Sequence, residues 1–195
     1  KVEINDNFIA FNGDVLSLPY YKKTVKLLHT SRYFDSISEA LDVAVEGDVI
    51  LVAYLESGYT ENFIIPEGVT IRGGYNPQTW ERDLVNYPSI LYIREGLNLI
   101  DSISSIIAMN NNTTIDGFVF DSKDLSHAIY ASNADNISII NCQFNNVDTA
   151  IKVNNTSGFI IQNTVSSNVT SLSASNSEQL VVKRNIFRSF NQLTL

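Results

Sequence analysis

The chain is poor in residues that build disulfide frameworks and soft-metal sites. Its 195 residues include one cysteine, Cys142, and two histidines, His29 and His127. One cysteine cannot form an internal disulfide, and a Cys/His metal site is excluded by number. Basic charge is also scarce, with 13 Lys and Arg against 21 Asp and Glu, a net charge of −8. Nucleic acids and anionic membrane surfaces are bound mainly through Lys and Arg, so neither is an expected partner. No run approaches the ~18 apolar residues of a membrane helix, so no membrane insertion is expected. Nor does a signal-peptide pattern begin at Lys1, although the absence of an initial methionine fits a removed leader. The Gly-x-Ser-x-Gly nucleophile motif is absent, and Gly73-Gly74 lacks the rest of either glycine fingerprint for phosphates.

What is present is a repeat. One row of segments reads SIIAMNN from Ser105, HAIYASN from His127, TAIKVNN from Thr149 and TSLSASN from Thr170, at separations of 22, 22 and 21 residues. A second row reads TTIDGFVF from Thr113, ISIINCQF from Ile137, GFIIQNTV from Gly158 and LVVKRNIF from Leu180, at separations of 24, 21 and 22. Two interleaved strand rows at one period indicate a solenoid. In the first row Ile107, Ile129, Ile151 and Leu172 form one column, and Met109, Ala131, Val153 and Ala174 another two residues on. Apolar positions two apart share one face of a strand. Asn111, Asn133, Asn155 and Asn176 follow each strand, where a side chain that tolerates the left-handed region turns the chain and can hydrogen-bond up the stack.

Ahead of the repeat, Ser36 and Glu39 form a capping box opening SISEALDVAV, with Ile37, Ala40, Leu41, Ala44 and Val45 at helical spacing. A short helix here closes the apolar interior that a first coil would otherwise expose. Residues 1–34 hold two candidate strands, Phe8–Phe11 and Thr24–Leu28, expected to lean on the end or side of the solenoid. The organisation is thus an N-terminal segment, 1–34, and one β-helix domain, 35–195. Leu193-Thr194-Leu195 repeat the apolar-x-apolar start of a coil, so the open last coil is expected to meet a further coil or a packing partner.

The front coils also carry Gly58, Tyr59, Glu61, Ile64, Pro66, Gly68, Val69, Thr70, Ile71, Gly73, Gly74 and Tyr75. Together with the helix and repeats, this pattern resembles the pectate-lyase-like superfamily, and most closely its surface-associated bacterial members. The resemblance implies an all-β, right-handed, single-stranded parallel β-helix with a short N-terminal capping helix, secreted or held at a cell surface. Enzymes on that fold act on long polysaccharides. Polygalacturonase-like members carry Gly-His-Gly and Arg-x-Lys, which are missing here, and Lys183-Arg184 lacks that spacing. Lytic members bind calcium through clustered carboxylates, so calcium enters only under that alternative; no other cofactor or metal is implied.

No catalytic residue can be named from the sequence. Asp121, Lys123, Asp124 and His127 form the best acid–base cluster, and Asp116 is expected to project outward alone in its column. The excursion from Asn76 to Tyr87 holds Trp80 and an Arg82-Asp83 intraloop pair; Trp80, Tyr75 and Tyr130 are the candidate sugar-stacking residues. On the second row Ile140, Phe159, Ile161 and Val181 are expected to face outward as an apolar interface patch. Cys142 is expected in an inward column beside Asn163 and Asn185. The leading expectation is a non-catalytic scaffold, adhesin-like or carbohydrate-binding, for a polysaccharide or cell-surface ligand. A polysaccharide lyase or hydrolase and a viral fibre or tailspike segment are the alternatives.

Overall fold

A computed structural model describes residues 23–92, 105–121, 127–167 and 170–188, together with three N-terminal strands. Those strands, β1 (Val2–Asn5), β2 (Phe8–Phe11) and β3 (Asp14–Ser17), form an antiparallel sheet of their own. The rest is a β-solenoid of about five turns.

Each turn has three short strands. The first comprises β7 (Phe63–Ile65), β8 (Thr70–Tyr75) and β9 (Ser89–Leu91). The second comprises β10 (Ser105–Met109), β11 (Thr114–Asp116) and β12 (Phe118–Asp121). The third comprises β13 (His127–Ser132), β14 (Ser138–Ile140) and β15 (Gln143–Asn145). The fourth comprises β16 (Thr149–Asn154), β17 (Ile160–Gln162) and β18 (Val165–Ser167). The fifth comprises β19 (Thr170–Ser175), β20 (Val181–Lys183) and β21 (Ile186–Phe187). Equivalent strands stack in parallel into three sheets: first β7-β10-β13-β16-β19, second β8-β11-β14-β17-β20, third β9-β12-β15-β18-β21.

The first sheet keeps the sequence columns unchanged, with Ile107↔Ile129↔Ile151↔Leu172 in register and all four buried. The second row differs in two ways. First, each eight-residue segment is two strands in different sheets, broken by a left-handed corner residue: Gly117, Asn141, Asn163 or Arg184 at φ 81°, 54°, 52° and 55°. Second, Ile137 aligns with Phe159 and not with Gly158, since Ser138 pairs with Ile160 and Ile139 with Ile161. A one-residue slip exchanges the two faces of a strand. Phe159 and Ile161 are therefore fully buried, and the outward patch does not form. Of its four expected members, only Ile140 and Val181 face outward, in different rows. The same slip moves Asn163 out of the Cys142 column, where Thr164 and Asn185 stand instead: Thr164 N–H donates to Asn185 Oδ1 at 2.8 Å.

Asparagines at the corners do what their columns suggest. Asn155 Nδ2 donates to Asn133 Oδ1 at 2.6 Å, Asn136 to Asn112 at 3.1 Å, and Asn163 to Asn141 at 3.1 Å. At the second turn Asn112, not Asn111, takes the positive φ, 57°. Gly158 ends the Asn112–Asn136 ladder, because a Cβ there would meet Asn136 Oδ1 at 2.6 Å.

The front end is closed by non-repeating elements. β6 (Val49–Ala53) pairs in parallel with β8, and β4 (Val25–Leu27) and β5 (Arg32–Phe34) add antiparallel strands beyond it. The helix α1 spans only Ile37–Leu41, shorter than the apolar spacing suggests, and Val45 is exposed. Ser36 caps it by accepting from Glu39 N–H, while the Glu61 carboxylate accepts from Ile37 and Ser38 N–H at 3.1 and 2.9 Å. Tyr59 Oη donates to the Ala53 carbonyl at 2.7 Å, and burial raises its pKa well above the phenol range. The front-coil motif residues Tyr59 and Glu61 are thus cap-building groups.

Two outcomes follow. Ile161→Asp places a carboxylate in the core and should cost at least about 4 kcal/mol, read as a collapse of the urea midpoint. A patch on the surface would instead leave the melt unchanged and alter only the oligomeric state. Cys142 is fully buried, and burial pushes its thiol up to about 12 from 9.0. A thiol acid with a raised folded pKa contributes stability that is complete below pH ~9 and falls as pH rises toward ~12. Ellman's reagent should therefore find no thiol in the folded protein at pH 8 and one after denaturation, and the denaturation midpoint should decline above pH 9.

Candidate functional site: an aromatic and cationic platform on the second sheet

The outward row of the second sheet can be followed by register across the cap and all five turns: Tyr33, Lys26, Leu51, Arg72, Asp116, Ile140, Gln162, Lys183. Its first members come from β5, β4, β6 and β8, which span residues 25–75, and the loop after β8 folds beside them. Asn76 opens that loop, its Oδ1 accepting from Gln78 and Thr79 N–H at 2.7 and 3.1 Å. Trp80 follows in the left-handed region at φ 60°, with its N–H on the Asn76 carbonyl at 2.9 Å. A bulky residue rarely adopts that conformation, so the surrounding hydrogen bonds over-determine it.

The loop is fastened to the sheet by Arg82. Its Nε donates to the Gly73 carbonyl at 3.0 Å, and its Nη2 meets Asp116 Oδ1 at 2.7 Å. Asn141 Nδ2 donates to the same oxygen at 2.8 Å. The Arg82-Asp83 intraloop pair suggested by the sequence is therefore replaced by a contact from the loop to the second turn. Asp116 is 8% exposed, covered by this clasp instead of projecting freely. Gly117 is needed beside it, since a Cβ there would lie 2.5 Å from Arg82 Nη2. Asp83 serves the loop itself: the hydrogen bond from Asn86 Nδ2, aided by the N–H groups of Asn86 and Val85, holds its carboxyl below the usual range.

The clasp sets three rings together. Trp80 lies 5.6 Å from Tyr33 and 6.3 Å from Tyr75, centroid to centroid, both tilted. Lys26 Nζ stands 5.3 Å from the Tyr33 ring and 5.6 Å from the Trp80 ring, and Arg82 Cζ lies 5.9 Å from Tyr75. Such cation–aromatic distances are attractive, at about 0.5–1 kcal/mol each where exposed. Tyr33 is 41% exposed, so the cluster opens to solvent. Two of the three expected stacking residues, Trp80 and Tyr75, are thus joined. Tyr130 sits on the first sheet, in register with Ala108 and Lys152. Sequence reasoning missed Lys26, Tyr33 and Arg72. The one available signal was Arg72, which follows inward Ile71 by strand alternation.

Of the other expected cluster the structure describes Asp121 and His127. Asp121 accepts from Asn146 Nδ2 at 2.7 Å, and His127 Nε2 lies 3.3 Å from Lys152 Nζ. Lys123 and Asp124 lie outside the described residues. A polar trough of about 290 Å³ runs along the corner of turns three to five, lined by Asn133, Asp135, Asn155, Thr156, Ser157, Asn176 and Glu178. Asp135 Oδ1 is already occupied there by Ser157 N–H at 2.8 Å. Among the described residues, no group of three or more His, Cys, Asp or Glu could hold a metal ion, and no helix is long and apolar enough to cross a membrane.

The fold and platform define a β-solenoid with an exposed aromatic site at its capped end. In comparisons with known proteins the chain matches no family model, no curated protein and no solved structure.

Removing the clasp tests how the platform is held. Arg82→Ala should free the loop while leaving the coils folded. The fluorescence of Trp80, the single tryptophan, should shift to the red and become more open to acrylamide quenching, with little change in far-ultraviolet circular dichroism.

Proposed function

We propose that the chain is a non-catalytic glycan-binding scaffold that works outside the cell, its sugar resting on the Trp80, Tyr33 and Tyr75 platform. The observation that carries this reading is the tilted aromatic trio held open on a rigid sheet. Flat apolar ring faces with nearby polar tips suit the mixed surface of a pyranose. Strained Trp80 is costly to hold, and the Asn76 and Arg82 contacts that hold it are better accounted for by a presented surface than by a connecting loop. A rigid, pre-set surface also spares the ligand the cost of ordering it.

The non-catalytic part rests on the carboxylate of this face, since Asp116 Oδ1 is held by both Arg82 and Asn141. That oxygen already meets two donors and the residue is buried, so this carboxylate is not presented to a substrate. Membership of the pectate-lyase-like superfamily, among its surface-associated members, is part of the same proposal, supported by the coil architecture and the front-coil motif.

Trp80 reports directly on its own site. Titration with a panel of soluble oligosaccharides should quench or shift its fluorescence, with no new reducing or unsaturated ends appearing. Calorimetry on Trp80→Ala should show at least about a tenfold loss of affinity, the scale expected when one stacking ring is removed. Release of product ends would reject the non-catalytic reading, and undiminished binding by Trp80→Ala would reject the platform as the site.

A further inference from the structure

The second sheet ends on β5 at the front and, among the described residues, on β20 at the rear. β4 is antiparallel to both β5 and β6, so two inversions leave β5 running in the direction of β6 and of the parallel strands down to β20. Each edge also carries a peptide turned outward. At the front, the Thr24 carbonyl and Leu28 N–H bond to Ala53 and Val49 beside β4, so Lys26 between them faces β6 as well, and its partner Tyr33 directs its N–H and carbonyl away from β4. At the rear, Val181 N–H bonds to the Phe159 carbonyl and the Lys183 carbonyl accepts from Asn163 N–H, which leaves the N–H and carbonyl of Val182 on the free side. A second copy moved along the solenoid axis brings its β20 beside β5 in the parallel sense of the sheet itself, and unpaired edges of this kind are templates for another chain.

The two ends match in surface and in charge. Val43 and Val45 are exposed beside the cap helix, and Val181, Val182 and Ile186 are exposed in the fifth turn. The chain is acidic, at −8, yet residues 170–188 hold Lys183, Arg184 and Arg188 against one acid, Glu178. Residues 23–48 hold five acids against three Lys and Arg. Of these acids Asp35 meets Lys23 and Asp48 meets His29, while Glu39, Asp42 and Glu46 are exposed. The other two cations lie over rings, Lys26 over Tyr33 and Trp80 and Arg32 over Phe34. An acidic end and a basic end on one molecule attract each other between copies and repel their own kind. We propose that copies of this chain associate head to tail, the fifth turn of one on the capped front of the next, with β20 beside β5 and Lys183, Arg184 and Arg188 facing Glu39, Asp42 and Glu46. Such a contact is heterologous, so no twofold axis closes it and copies add in line. It covers a single cross-section of the solenoid, which makes it weak and reversible. Added salt weakens it further, because the paired charges are exposed. The association needs no glycan.

The test is analytical ultracentrifugation of the whole chain at low salt, from about 10 μM to about 1 mM, the range that brackets a weak contact with a dissociation constant near 100 μM. The weight-average mass should rise at least about twofold over that range, pass the dimer without a plateau, and fall back toward the monomer at about 500 mM salt. Two charge-reversed proteins then locate the faces: a front variant, Asp42→Lys with Glu46→Lys, and a rear variant, Lys183→Glu with Arg188→Glu. Each alone should keep the thermal melt and remain monomeric at the top concentration. Mixed in equal amounts they should associate again, since each supplies the charge that the other has lost. A wild type that is monomeric throughout overturns the proposal. So does a mass that levels off at a dimer, which marks a closed pair, or association that persists in either variant alone. A mixture that stays monomeric overturns the matching of front to rear.

Discussion

The structure depends on one constraint: equivalent residues of successive turns must stack at the strand spacing of roughly 4.8 Å. Every inward column has to supply a side chain that fits directly on its own counterpart, and a corner is strengthened where its polar side chain bonds to the corner below. Phe120 on Phe144, stacked at 4.7 Å with an interplanar angle of 10°, meets the first demand. Asn155 on Asn133 meets the second. Asparagine suits the corners for two reasons at once, since it tolerates positive φ and its amide both donates and accepts. The low content of charged residues has the same origin, because like charges stacked at this spacing repel.

Such a stack is uniform along its length, and uniformity gives no place for a specific site. The site lies where the repeat is broken to close the front end. Closing the first turn requires antiparallel β4 and β5, a helix capped by Glu61, and a return path after β8 longer than a corner. These additions place Tyr33, Lys26 and the Trp80 loop on the second sheet, a combination that the periodic turns do not offer. The clasp from Arg82 to Asp116 then ties the irregular part to the second periodic turn, so that the loop inherits the rigidity of the stack.

Legibility in the sequence followed this division. The first sheet was readable residue by residue because its apolar-x-apolar pairs repeat without insertion. The second row was readable in existence but not in register. Separations of 24, 21 and 22 fit the written segments, whereas the structure aligns Ile137 with Phe159, and a single residue decides whether Phe159 and Ile161 are core or surface. The break into two sheets was hidden because the corner residue is not constant, being Gly117, Asn141, Asn163 and Arg184. Of the site, Trp80 and Tyr75 were visible as aromatics in an excursion. Lys26 and Tyr33 were not, because only the antiparallel pairing of β4 with β5 and β6 brings them to the face.

Nearest-neighbour stacking also orders stability along the axis. At the front, Val25, Ile37, Ile50 and Ile71 are fully buried. In the fifth turn, among the described residues, Val182 pairs with buried Ile161 yet is itself 41% exposed, and Phe187, in register with buried Ser166, is only partly buried. Among the described residues, inward positions of the fifth turn thus carry less cover than the same columns have in earlier turns. The platform sits at the opposite end, where β4 and β5 close the first turn. A surface that must hold a strained Trp80 beside Tyr33 and Tyr75 gains from the Arg82–Asp116 clasp, because that contact ties its loop to the second turn, which has neighbours on both sides.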